Sequence, residues 1–249
     1  SAMLATASVD GRCMLWDCRE GMSNNSVNSG SNGSGSGTAT PAIAPIKILE
    51  GHKGAVTDCA FHPNGQLLAT SGVDYSWRLY DCETSQNVLI QDGHVNECSA
   101  LSIQSDGALI MTCDSGGVIL LWDMRSGQKI LTFHGHIEKI TSCDFNSNGY
   151  LAVTSSIDNQ VRVWDIRHKR CNYMLPAHSQ AITRVKYSTN GEMLLTSSFD
   201  STVKLWTSRG HRLLNTLVGH TGKVMSADFH SNDDYIVTAG FDRTVKLWN

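Results

Sequence analysis

Charge is scarce in this chain of 249 residues: Asp, Glu, Lys and Arg together make up 17%, and the net charge is −3. That balance excludes a broad basic surface for nucleic acid. No apolar run approaches the ~20 residues needed to cross a bilayer, and the start shows no signal-peptide pattern, so no membrane partner is implied. The eight cysteines show no paired Cys-x-x-Cys spacing, which argues against a zinc site. Reduced, buried thiols suit the nucleus or the cytoplasm. A phosphate loop is missing too, since the glycine-rich run at 30–37 has no strand before it and no Gly-Lys-Ser/Thr after it. No cofactor, metal or small-molecule substrate is therefore expected.

What the chain does have is a period. His52, His94, His136, His178 and His220 stand 42 residues apart without insertion or deletion. Gly51, Gly93, Gly135 and Gly219 precede four of them, and Ala177 precedes the fifth. Tyr80, Trp122, Trp164, Trp206 and Trp248 each follow a histidine by 28 positions. Units of 40–45 residues that open on Gly-His and close on Trp-Asp mark a WD40 β-propeller, an all-β fold of repeated four-stranded blades.

One unit shows how a blade is made. Strands are predicted at 55–61, 67–71, 77–80 and 87–90, the first two joined by His62-Pro63-Asn64-Gly65. Asn-Gly or Asp-Gly recurs at 64/65, 106/107, 148/149 and 190/191, the residues that tolerate the left-handed backbone of a hairpin turn. Twenty-two strands result, arranged as six repeats with both end blades incomplete, in a single domain over 1–249. The expectation is a piece of a seven-bladed ring. Residues of about 22–45, rich in Ser, Asn and Gly, form an insertion that cannot bury enough to order itself.

In each unit a threonine lies four positions before an aspartate, and an aromatic six positions after it. Likeness to WD40 proteins implies that indole, hydroxyl, imidazole and carboxylate form a hydrogen-bonded chain. The sets are His52, Thr70 and Asp74; His136, Thr154, Asp158 and Trp164; His178, Thr196, Asp200 and Trp206; His220, Thr238, Asp242 and Trp248. Thr, His and Asp together imitate a hydrolase triad. Repetition in almost every blade marks them as structural, so no catalytic residue is assigned and the chain is not read as an enzyme. Two units depart: Gly116 stands where the aspartate is due, with Asp114 two residues early, and Tyr80 replaces Trp. Drift and a surface reshaped for a partner both account for this.

Residues outside the repeat carry a narrower likeness. Tyr75-Ser76-Trp77-Arg78-Leu79-Tyr80-Asp81, Gln91-Asp92-Gly93-His94 and Gly222-Lys223-Val224-Met225 resemble the WD40 domains of the pre-mRNA-processing factor four family of the U4/U6 small nuclear ribonucleoprotein. Pro176-Ala177-His178 after Arg170-Cys171-Asn172-Tyr173 is the most specific element. That resemblance extends over nearly the whole chain outside the insertion. It implies a non-enzymatic scaffold in the nucleus, bound to pre-mRNA-processing factor three and other tri-snRNP proteins, with U4/U6 RNA met mainly through the complex. It also implies that an N-terminal extension and a first blade of the family lie outside this sequence. The alternative is a WD40 adaptor of another complex, such as a ubiquitin-ligase receptor or a centriolar or signalling scaffold.

A partner is expected over the face that holds the turn aspartates, where loops project from a rigid frame. Tyr75 and Arg243 follow such aspartates, and Phe199 and Phe241 precede them. These are hot-spot residue types, although the two phenylalanines could equally pack between blades. Arg78, Arg162, Lys204 and Lys246 share one strand position and read as structural rather than as an RNA groove.

Overall fold

Strand after strand, the structure repeats one antiparallel meander. The computed structural model describes residues 3–18 and 45–249; apart from Pro45, the low-complexity insertion lies outside them. Blade 1 comprises β1 (Met3–Ala7), β2 (Cys13–Asp17) and β3 (Lys47–Leu49). Blade 2 holds β4 (Val56–Phe61), β5 (Leu67–Gly72), β6 (Ser76–Asp81) and β7 (Asn87–Asp92). Blade 3 holds β8 (Cys98–Ile103), β9 (Leu109–Asp114), β10 (Val118–Asp123) and β11 (Lys129–His134). Strands β12–β15 run from Ile140 to Leu175, β16–β19 from Ile182 to Val218, and β20–β22 from Val224 to Trp248. They complete a six-bladed, all-β propeller with no helix among the described residues.

Why the blades stand side by side follows from their inner strands. β4, β8, β12, β16 and β20 touch one another in that order. A hydroxyl on each links it to the next, with Thr57, Ser99, Thr141 and Thr183 donating to the carbonyls of Cys98, Ile140, Ile182 and Val224 at 2.5–2.9 Å. Apolar layers fill the space between sheets, so the middle strands are buried on both faces and need not alternate. Trp77, which replaces the aliphatic residue of other blades, is wholly buried and meets Trp122 edge-to-face at 5.9 Å. In blades 2, 3 and 4 the aspartate after the Tyr or Trp closes the next turn: Asp81, Asp123 and Asp165 accept the N–H groups of Glu83, Arg125 and Arg167.

At the two ends of the array the packing stops. Among the described residues β1 pairs only with β2, and β22 pairs only with β21. Val245 and Leu247 on β22 are 72% and 67% exposed.

Candidate functional site

All the turn aspartates and repeat histidines lie at one end of the blades, here called the top face, and the chemistry beneath it is a relay. In blades 4, 5 and 6 the Nε1–H of Trp164, Trp206 and Trp248 donates to Thr154, Thr196 and Thr238 at 2.9–3.0 Å. Nε2 of His136, His178 and His220 is 2.8–2.9 Å from the same hydroxyls. Nδ1 of each ring is 2.8 Å from Asp158, Asp200 or Asp242. Each hydroxyl that accepts from the indole can still donate to Nε2, an arrangement that leaves Nδ1–H to donate to the carboxylate.

Burial pushes the pKa of His52 and His178 down despite the upward pull of Asp74 and Asp200. Burial works against Asp74 as well, but the Lys53 N–H, His52 and the Ser76 hydroxyl outweigh it and hold the carboxyl at about 2. The threonine hydroxyls are 0–1% exposed and already committed on both sides. No substrate can reach them, so the triad-like set is mortar between strands.

Both departures are accommodated locally. Asp114 takes the place of the missing turn aspartate, with Oδ2 at 3.0 Å from His94 Nδ1 and Oδ1 accepting the N–H groups of Gly116 and Val118 at 2.9 Å. His94 still meets Thr112 at 2.8 Å, and Trp122 still donates to it. In blade 2 His52 joins Asp74 and Thr70 at 2.9 and 2.8 Å. Tyr80, lacking an indole, donates instead to the Glu50 carbonyl at 3.2 Å. The shared basic position is inward: Lys204 donates to the Ala177 carbonyl at 2.7 Å, and Arg78 pairs with Asp74 at 3.5 Å.

Above the relay the residue after each turn aspartate takes a left-handed backbone, with φ of 66° at Tyr75, 65° at Asn159, 67° at Ser201 and 63° at Arg243. Of these, Tyr75 and Arg243 are exposed and Asn159 and Ser201 half-buried. Tyr75 is 49% and Phe241 74% exposed. Phe199 is half-buried, with the Lys223 ammonium 4.3 Å above its ring, and the Phe241 N–H donates to the Lys223 carbonyl at 2.7 Å. Phe199 and Phe241 thus gather around Lys223 on blades 5 and 6, with Arg243 two residues beyond Phe241. Tyr75 stands apart on blade 2, beside a cleft of about 650 Å³ that Lys53 and Asp92 also line.

Three exposed residues were not singled out by the sequence patterns. Val95 (88% exposed), Val9 and Ile137 (both 85%) occupy loops of the same face. Val95 and Ile137 directly follow His94 and His136, where other units have Lys53, Ser179 and Thr221. Variation at that one position, within an otherwise fixed period, is the signal that could have found them.

Six antiparallel blades, four of them holding a complete Trp–Thr–His–Asp relay, define a WD40 β-propeller, a fold built for protein interaction. More particularly, the chain belongs to the family described as the IFT122 first β-propeller, whose profile matches residues 1–249. Shorter likenesses fall elsewhere. The human U5 small nuclear ribonucleoprotein 40 kDa protein is 50% identical over 44 residues, 16% of this chain and 12% of that protein. The Saccharomyces cerevisiae U4/U6 small nuclear ribonucleoprotein PRP4 is 36% identical over 44 residues, 18% of this chain and 10% of that protein. An Arabidopsis thaliana ribosome biogenesis protein BOP1 homolog is 50% identical over 42 residues, 16% of this chain and 6% of that protein. Each of these matches is about one 42-residue repeat long. The likeness to PRP4 is therefore that of a blade, narrower than the nearly whole-chain extent read from the motifs.

Proposed function

We propose that this propeller is a non-catalytic docking scaffold whose top face receives protein partners. One observation carries the reading: the four most exposed large apolar residues described, Val95, Val9, Ile137 and Phe241, all lie in loops of that face. Solvent-facing aliphatic and aromatic side chains on a rigid frame are what an interface uses, and their clustering at one end of the blades separates them from scattered surface residues. Tyr75, Phe199, Phe241 and Arg243 belong to this docking face, with Val9, Val95 and Ile137 added to them.

The assembly served has two readings. The motif likeness to the factor four family, with the one-blade matches to U5 and U4/U6 proteins, supports a place in the tri-snRNP, with pre-mRNA-processing factor three as partner and the nucleus as location. The profile match over 1–249 supports instead the assembly that contains the IFT122 propeller. One-blade identity is shared just as strongly with a ribosome biogenesis protein, so it selects a blade type rather than an assembly. The whole-chain match weighs more for the class of propeller, and the scaffold role is common to both.

Purification of the tagged parent protein from its own cells at gentle salt, with identification of co-purifying proteins and RNA, separates the two. U4 and U6 RNA with tri-snRNP proteins establishes the splicing reading. A defined protein assembly without those RNAs removes it. If partners persist undiminished when Val95, Ile137 and Phe241 are all replaced by Ser, the top face is not the docking surface.

A further inference from the structure

The top of blade 3 differs from its neighbours in a way that the relay does not require. Between β9 and β10 the turn is Ser115-Gly116-Gly117, so the two positions that elsewhere carry Asp-Tyr, Asp-Asn, Asp-Ser or Asp-Arg carry no side chain. Asp114 keeps His94 satisfied from within β9, which frees the turn from its structural duty. The bare turn is drawn tightly between the two adjoining loops. A Cβ on Gly116 would meet the Asn96 amide at 2.2 Å. A Cβ on Gly117, at φ 82°, would meet the His136 carbonyl oxygen at 2.4 Å. The loop on one side carries Val95, and the loop on the other carries Ile137, the residue next to His136. The turn therefore lies low, packed against the Asn96 side chain and the His136 carbonyl, between two aliphatic side chains that are 88% and 85% exposed.

Charge beside this shelf leans acidic. Glu97 and Glu138, in the loops that carry Val95 and Ile137, are exposed and have no ion pair among the described residues, against Lys139, while Asp92 shares the neighbouring cleft with Lys53. Across the face, over blades 5 and 6, the exposed charges are Lys223 and Arg243, while Asp200 and Asp242 are committed to their histidines. The loops of blades 3 and 4 thus pair aliphatic side chains with Glu97 and Glu138, and those of blades 5 and 6 pair aromatic side chains with Lys223 and Arg243.

We propose that the shelf over blade 3 binds a partner-protein segment presenting aliphatic side chains flanked by lysine or arginine. This rests on the reading of the top face as the docking surface. The aliphatic side chains of the segment would lie between Val95 and Ile137, over the Gly116-Gly117 turn and the Asn96 amide that covers it. Its cations would meet Glu97 and Glu138, which steer the encounter and set which way the segment lies. A phosphate-rich ligand is repelled by the same carboxylates.

The test is selection of a randomised 12-residue peptide display library on the immobilised full chain, followed by fluorescence-polarisation titration of the enriched peptides. Three variants serve: Val95→Ser with Ile137→Ser, Glu97→Lys with Glu138→Lys, and Phe241→Ser with Arg243→Ser. All six positions are exposed, and an unchanged thermal melt verifies the fold. Enrichment of aliphatic peptides bearing Lys or Arg, weakened at least tenfold by the first two variants and unaffected by the third, is the expected result. Enrichment of acidic or aromatic peptides lost only with the third variant overturns the shelf while leaving the top face as docking surface. Binding that none of the three variants alters, or no enrichment at all, overturns both.

Discussion

At the scale of single residues, the relay is what the period encodes. A buried ring nitrogen, hydroxyl or indole needs a partner, and spacings of 18, 22 and 28 residues from each histidine supply the three. Spacing identifies Asp158 and Asp242 because they fall on the period, but it could not assign Asp114. Two residues of slip were absorbed by the tight turn at Gly116-Gly117, which only coordinates reveal. Removing Asp158 should orphan the Nδ1–H of fully buried His136, at a cost of about 1–3 kcal/mol. Asp10, which holds only its own turn and meets no histidine, serves as the control. Urea titration of Asp158→Ala should show a clear loss, and Asp10→Ala should coincide with the parent; equal behaviour of the two would refute the relay's structural role.

The buried imidazoles of His52 and His178 set a pH dependence. Because burial depresses the pKa of His52 and His178 below the ordinary value near 6.5, the unfolded chain binds protons that the folded chain refuses. Stability is therefore complete above that value and falls as pH drops through it toward the folded pKa. Asp74, at about 2, adds a second loss between about 4 and 2, where its carboxylate is protonated first in the unfolded chain. Thermal melts from pH 7.5 to 5 should show a steady fall in Tm, and His178→Gln should flatten it. A Tm that rises on acidification would contradict the lowered pKa of these two histidines.

Blades are the scale at which the sequence is most legible and also most local. The strands expected at 67–71 and 77–80 are found within β5 and β6, one residue longer at one or both ends, because turn chemistry and apolar runs fix them from nearby residues alone. What joins one blade to the next was harder to see. Thr57, Ser99, Thr141 and Thr183 recur every 42 residues, yet the carbonyl that each one meets lies 41 residues further on, in the neighbouring sheet. No pattern inside one unit points to that acceptor. Thr141 donates to Ile182 at 2.7 Å and also touches Ser155 at 3.0 Å, so Thr141→Ala should destabilise the array by about 1 kcal/mol, as the loss of one net hydrogen bond. Thr141→Ser retains the hydroxyl and should recover most of that loss in a parallel denaturant titration. Equal losses for Ala and Ser would assign the effect to packing of the methyl group instead.

For the molecule as a whole, the docking face was only partly legible because loops escape the period that reveals strands. Phe241 and Tyr75 could be found from their place beside a turn aspartate, whereas Val95 and Ile137 gained meaning only once their exposure was known. The flank of blade 6 shows the same limit from the opposite side. Val245 occupies the strand position held by Ile119, Val161 and Val203, which are 0%, 0% and 1% exposed because each faces a following blade. Val245 itself is 72% exposed, and Leu247, Met225 and Val237 are exposed beside it. β22 adds a row of backbone groups with no strand beyond it among the described residues. An apolar face next to an open edge is a template for pairing with another chain. Taken as these 249 residues alone, the chain should therefore self-associate through blade 6 as its concentration rises. Sedimentation velocity should show a weight-average mass that grows with loading concentration, and Val245→Lys with Leu247→Lys should hold the chain at the monomer mass. A single monomer boundary for the parent chain across that range would mean that the flank is too short or too twisted to pair, and the self-association prediction would fail.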